Sequence, residues 1–244
     1  MMFGRSNRAV GALLLLAGLF VPAVGCSSAP TEDTSSQGSS ISGNTARATA
    51  AGPTAAQLLA KVQGCNQVSN GTYKTDSETA PSIAVCDKSG AVFWKADMDI
   101  DCDGQTTARC NHDTDPWYYN DTAFHQSDDQ PLIADQLPYV VIPGPSSIWN
   151  YQNFQIQGGA VVAVIYNNQV VYAVFGDTGP QDMIGEASYA TAQALGINPD
   201  PANGGTDSGV TYIVFKNSNV SPIESHDRAT ELGQQLAQQF IDNN

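Results

Sequence analysis

Two carboxylates stand nine residues apart, in Gly176-Asp177-Thr178-Gly179-Pro180 and in Ile184-Gly185-Glu186-Ala187-Ser188. The first follows an apolar run, so Asp177 is expected to leave a buried strand on a sharp turn. Glu186 is expected at a helix start. Glycines around the pair would let a ligand come close to the backbone. Two carboxylates at different depths can hold different pKa values, which suits hydrolysis of a glycosidic bond. One gives a proton to the leaving oxygen and the other activates water. A purely structural use of the same residues is an Asx turn at Asp177 and a helix cap at Glu186. Asp177-Thr178-Gly179 also spells the aspartic-protease triplet. That chemistry needs two such aspartates sharing a proton, and the sequence has one copy.

Other residues with chemical potential sort less sharply. Between Asp97 and Asp103 the pattern alternates, with Met98, Ile100 and Cys102 on one face and Asp97, Asp99, Asp101 and Asp103 on the other. Like charges side by side repel, and a cationic partner would relieve them; a solvated strand face is the plainer reading. Asp99 to Gly104 matches the start of an EF-hand loop, yet its twelfth position is Cys110, where a bidentate glutamate is needed. Trp94, Trp117, Tyr118, Tyr119 and Trp149 could present faces to cationic sugars or serve as core. Of these, the Trp117–Tyr119 stretch is the chosen candidate. His112, His125 and His226 lack ligand or triad spacing, and no Gly-x-Ser-x-Gly elbow exists.

The elements that must carry these groups are mostly strands. Ala160–Tyr166 and Gln169–Phe175 flank Asn167-Asn168, a pair suited to a tight hairpin turn. Both strands are apolar throughout, as for a sheet covered on both faces. Ala91–Asp103, Tyr139–Ile142 and Val210–Lys216 read as further strands, and residues 105–131 as loop. Helices are expected near Ala55–Val62, over Ala187–Leu195 with Gly196 as a left-handed cap, and over Ile223–Ile241. Strands outnumber helices and no βαβ rhythm repeats. The fold class expected is mainly β (α+β), a compact β-barrel with peripheral helices.

The ends and the cysteines bear on location. Residues 1–25 read as a signal peptide, with Arg5 and Arg8 ahead of a short apolar run. Ala23-Val24-Gly25-Cys26 looks like a lipobox, so Cys26 is a candidate lipidation site, and plain secretion is the alternative. Residues 26–52, rich in Ser, Thr and Ala, read as a flexible tether, and 53–244 as one domain. Cys65, Cys86, Cys102 and Cys110 allow three disulfide pairings; the short Cys102–Cys110 loop favours that bridge together with Cys65–Cys86. A zinc site from Cys102, Cys110 and His112 lacks CxxC spacing. Net charge is −14, and losing Arg5 and Arg8 with the leader leaves 8 basic against 24 acidic side chains, or −16. Such a field disfavours nucleic acid and steers cations inward.

The segments GDTGP and IGEAS resemble the signature of the family 75 glycoside hydrolases, the fungal-type chitosanases. The likeness extends to MDIDCDG (98–104), YVVIP (139–143), the hairpin VIYNNQVVYAVF and SYATAQALGINPDP, covering most of residues 60–225. The resemblance implies that Asp177 and Glu186 are the essential pair of an endo-acting, inverting enzyme that needs no cofactor. The substrate would be chitosan, cleaved between β-1,4-linked glucosamine units. It also implies a double-ψ β-barrel. Asp99, Asp101, Asp103, Thr178 and Trp117 become candidates for substrate binding, and no metal ligand is expected. By analogy with other chitosanases Glu186 is the proton donor and Asp177 the base, although a helix dipole at Glu186 would favour its anion. The lipobox and tether are not the family's usual fungal layout. A monomer is expected, touching membrane only through a lipid. Hydrolysis of peptidoglycan, or a surface polysaccharide-binding lipoprotein without turnover, are the other readings.

Overall fold

The computed structural model describes residues 52–244. The expected signal peptide, the candidate lipidation site Cys26 and the expected tether up to residue 51 lie outside the described residues. The chain enters through α1 (Ala55–Lys61), whose Thr54 and Gln57 form a reciprocal capping box. Strands β1 (Asn66–Gln67), β2 (Cys86–Lys88), β3 (Ala91–Asp101) and β4 (Tyr139–Pro143) follow. Then come β5 (Val161–Tyr166), β6 (Gln169–Gly179), β7 (Glu186–Ser188), α2 (Tyr189–Ala194), β8 (Thr206–Phe215) and α3 (His226–Asn243).

Six strands close on themselves in the order β3-β7-β4-β6-β5-β8, with β8 returning to β3, and β1-β2 extend from the start of β3. Closure removes the exposed edges that an open sheet would leave. The pairs β3–β7 and β4–β6 are parallel; the other barrel pairs are antiparallel. The hairpin turn is as expected: Asn167 and Asn168 both adopt positive φ, 44° and 66°, matching the twist of β5 and β6.

Both faces of the strands are buried, which explains why the hairpin sequence is apolar without alternation. Ile165, Tyr172, Val174 and Phe215 form one cluster with Ala229, Ala237 and Phe240 of α3. A helix packs outside a six-stranded barrel, so this is the outer face. The alternate residues Trp94, Met98, Val140, Ile142, Val164, Ala173, Phe175 and Tyr212 fill the interior. There Trp94 stacks on Tyr212 at 5.4 Å and meets the edge of Trp149 at 6.4 Å. Trp94 and Trp149 are therefore core, 1% and 3% exposed.

Three sequence expectations need correction. Gly176–Gly179 is not a turn but the end of β6, held in a parallel ladder by β4. Glu186 does not begin a helix; it begins β7, and α2 starts three residues later with Ser188 as its cap. Strand β8 begins at Thr206, four residues before the expected start at Val210. In each case strand partners contributed from afar outweigh local turn and helix signals. Cys65 joins Cys86 and Cys102 joins Cys110. With Cys102 and Cys110 bonded to each other, their thiolates are not available to zinc, and His112 packs edge-on against Tyr118.

Candidate active site

The parallel ladder between β4 and β6 contains a bulge. Val140 pairs with Phe175 but Val141 pairs with Asp177, so Gly176 is the extra residue. The bulge resets the alternation, and Asp177 takes the outward face that Val141 occupies. Only glycine fits the inserted position, because a Cβ would come within 2.6 Å of both Leu132 Cδ1 and Tyr139 Cβ. On the other side of Val141 stands Glu186, and beyond Glu186 stands Asp99 of β3. One row across four strands thus reads Asp99, Glu186, Val141, Asp177, all on the outer face. Asp101 lies two residues along β3 from Asp99 on that face, opposite Ser188.

Among the described residues, none from a helix lines this part of the outer face. A cavity of about 650 Å³ opens over it, walled by Asp76, Asp99, Asp101, Asp103, Asp115 and Glu186 and rimmed by Trp117 and Pro180. Trp117 is 90% exposed and Tyr119 62%. The strand-free loop that carries them is tied to the end of β3 by the Cys102–Cys110 bond and by Tyr119 N–H donating to Asp103 Oδ1 at 2.6 Å. Tyr118 of the same stretch turns inward, its hydroxyl donating to the Gly104 carbonyl at 2.7 Å.

Asp177 is set deeper than Glu186 and does not belong to the cavity wall. It is 7% exposed, and its Oδ1 accepts the N–H groups of Ala123 and Thr178, each at 2.7 Å. This is not an Asx turn, since one donor comes from a loop far away in sequence. Thr178 pairs with Ile142, an interior residue, and does not line the cavity. The alternation that brings Asp177 outward turns Thr178 away.

Burial separates the two carboxyls electrostatically. Desolvation, with the charges of Asp99, Asp103 and Asp177, raises Glu186 to about 8. Desolvation also raises Asp177, to about 6, where the two backbone donors restrain the rise by stabilising its anion. Asp99, although accessible from the cleft, and Asp103 both rise to about 6, chiefly by desolvation among the surrounding walls, and Asp101 rises well above the usual carboxylate range by burial and the nearby Glu186. Because Glu186 lies within the sheet, the helix dipole that would have favoured its anion is not at its side chain.

The sequence reading missed Asp115 and Asp76. Asp115 is buried, and its Oδ1 accepts the Trp117 N–H at 2.8 Å, fixing the aromatic rim. Its only signal was proximity to Trp117. Asp76 reaches the cavity from the segment between β1 and β2, which carried no signal at all.

The barrel thus carries an uncovered acidic cleft walled in part by Glu186, with Asp177 buried next to it, and burial biases these two carboxyls toward different protonation states. The family described as fungal chitosanase of glycosyl hydrolase group 75 matches residues 98–243. This chain belongs to that family. It is 32% identical over 173 residues to an endo-chitosanase C of Aspergillus oryzae, covering 67% of this chain and 43% of that protein. It is 31% identical over 183 residues to an endo-chitosanase of Aspergillus fumigatus, covering 68% and 76%. This chain therefore spans less than half the length of the former and about three quarters of the latter. The solved structure of Streptomyces papain inhibitor aligns with a TM-score of 0.31 at 18% identity, covering 51% of this chain and 94% of that one.

Proposed function

We propose that this chain is an endo-acting, inverting chitosanase in which Glu186 is the proton donor and Asp177 the base. The observation that carries the reading is the row itself, with Glu186 and Asp177 flanking Val141 on one outward face. Their backbones stand two strand spacings apart, about 10 Å. That gap suits the roughly 6.5–9.5 Å carboxyl separation of inverting enzymes better than the shorter one of retaining enzymes. Glu186, raised to about 8, holds a proton at neutral pH and gives it to the departing glycosidic oxygen. Asp177, restrained near 6, is ionised there and takes a proton from the water that attacks the anomeric carbon from the opposite side. Its burial leaves room for a water rather than a sugar.

The remaining acids support a cationic substrate. Asp99, Asp101, Asp103 and Asp115 wall the cleft, and an ammonium-bearing polymer such as chitosan relieves their mutual repulsion. Trp117 offers a face on the rim. Two disulfides suit an oxidising environment, and no helix among the described residues is long and apolar enough to cross a membrane. Export by the N-terminal segment, with a lipid on Cys26, accords with that setting.

The test is release of reducing ends from highly deacetylated chitosan, with the anomer of the first product followed by NMR. Glu186→Gln and Asp177→Asn should each lower turnover by ~10²–10⁴-fold. The rate should be bell-shaped in pH, lost below about 6 as Asp177 gains a proton and above about 8 as Glu186 loses one. Full activity in either variant, or a product of retained configuration, would overturn the reading. Release from purified cell wall but not from chitosan would point to a different amino-sugar polymer.

A further inference from the structure

At one side of the cleft, Asp76, Asp97 and Asp99 bring a carboxylate oxygen each to within 4.8 Å of one another. Three features make this more than an acidic surface. Asp97 is 4% exposed, so its charge is shut away from water. Its Oδ1 is wholly buried and has no hydrogen-bond donor. And among the described residues every ion pair lies elsewhere: Lys74 serves Asp182, Lys216 serves Asp87, Arg228 serves Glu231 and His125 serves Asp121 and Asp129. A buried, ionised carboxylate oxygen with neither a cation nor a donor costs several kcal/mol, and either a proton or a bound cation must neutralise it.

The local backbone is shaped to keep Asp97 there. Opposite Asp97 the β3–β8 ladder is interrupted by extra residues on β8, since Ala96 pairs with Val210 but Met98 with Thr206. Gly185 approaches from the other side with φ of 119°, and any Cβ on it would overlap Asp97 Oδ1. The glycine thus leaves the room that the Asp97 carboxylate fills.

We infer that Asp76, Asp97 and Asp99 form a binding site for a divalent cation of the hard, oxygen-seeking kind, best matched by Ca²⁺, that ties the segment carrying Asp76 to strand β3. Oxygens bound to Ca²⁺ at about 2.3–2.6 Å lie at most about 5 Å from one another, which accommodates the spacing here. Three carboxylates with no His or Cys among them select Ca²⁺ over Zn²⁺. A bare ion can reach Asp97, whereas a sugar ammonium carried on a ring reaches only the exposed Asp76 and Asp99. The position is separate from the acid–base pair, although Asp99 links them as the strand partner of Glu186.

The experiment is thermal unfolding and calorimetric titration of chelator-treated full-length protein with CaCl₂, beside NaCl at matched ionic strength. One Ca²⁺ should bind per chain and raise Tm by about 5–10 °C at saturation. Asp76→Asn and Asp97→Asn should each abolish both the heat and the shift. Asp76 is exposed, so Asp76→Asn decides the matter if Asp97→Asn fails to fold. Glu186→Gln should keep the full Ca²⁺ response while losing turnover, so failure of the cation site and failure of the chitosanase reading would look different. A parent protein without Ca²⁺ heat, a shift equalled by NaCl, or a response that survives in Asp76→Asn would each overturn the inference.

Discussion

The outer face of this barrel is used in two opposite ways. Over β5 and the first half of β6, the outward side chains Ile165, Tyr172 and Val174 are sealed by Ala229, Ala237 and Phe240 of α3. Across β3, β7 and the end of β6, the same face carries Asp99, Asp101 and Glu186 in the wall of an open cleft, with Asp177 buried in the same row. The strands are continuous from one region to the other; β6 belongs to both. What differs is the cover. Apolar area removed from water contributes about 25 cal/mol per Å², so the sealed half holds the barrel together. The open half leaves carboxyls half desolvated, which weakens the fold and sets their protonation. Stability and chemistry therefore sit side by side on one surface, divided by where a helix ends.

The sharpest way to expose this division is to remove function without removing stability. Glu186→Gln should cost ~10²–10⁴-fold in turnover. Its Tm should not fall at neutral pH, since a crowded acidic group is lost; a drop comparable to that of a core truncation would blur the two regions. The converse change is Phe240→Ala, which opens a cavity under α3 where Phe240 meets the edge of Phe215 at 6.2 Å. It should cost about 3–5 kcal/mol in denaturant unfolding while leaving the shape of the pH–rate profile intact.

Gly176→Ala strikes the boundary between the regions. Leu132 and Tyr139 would have to give way, at about 1–3 kcal/mol. Because the bulge also aims Asp177, turnover should fall by more than the unfolded fraction explains. Matched loss of turnover and folded protein would show that the bulge is only structural.

The open half should also give stability a particular pH dependence. Asp97, at about 7, and Asp99, Asp103 and Asp177, at about 6, with Glu186 at about 8, all titrate higher when folded than the usual carboxylate range. The folded state therefore binds more protons than the unfolded one between about pH 4 and 8, and stability is lost as pH rises through that window. In chelator-treated protein Tm should decline from pH 5 to pH 8, and Glu186→Gln should flatten the upper part of the decline. A Tm that climbs over this range would contradict the buried acidic cluster. The smallest effect belongs to the rim: Trp117→Ala should raise KM a few-fold with kcat nearly unchanged, since Trp117 is 90% exposed and packs on nothing that holds the barrel.

How much of this was legible in the residues depends on range. The β5–β6 hairpin was, because Asn167-Asn168 and two apolar runs are neighbours in sequence and need no outside partner. The helices α1 and α3 were found close to their bounds from caps and periodicity. The pair Asp177 and Glu186 was legible as two carboxylates among glycines, and so was the alternation of Asp99 and Asp101 against Met98 and Ile100. The turn at Gly176–Gly179 and the helix at Glu186 were misread. Both segments carry turn or helix signals locally, and both become strand because β4 pairs with one on each side.

By itself, then, the sequence determined which residues could titrate, which runs must be buried and which family the chain belongs to. These follow from side-chain chemistry and local order. Only the tertiary structure decided that Asp177 faces outward beside Glu186 while Thr178 does not. It alone brought Asp76 and Asp115 to the cleft, and it alone left Asp97 buried without a partner. Those outcomes turn on strand register, where an insertion of one residue reverses every side chain beyond it, and register is set by partners far away along the chain.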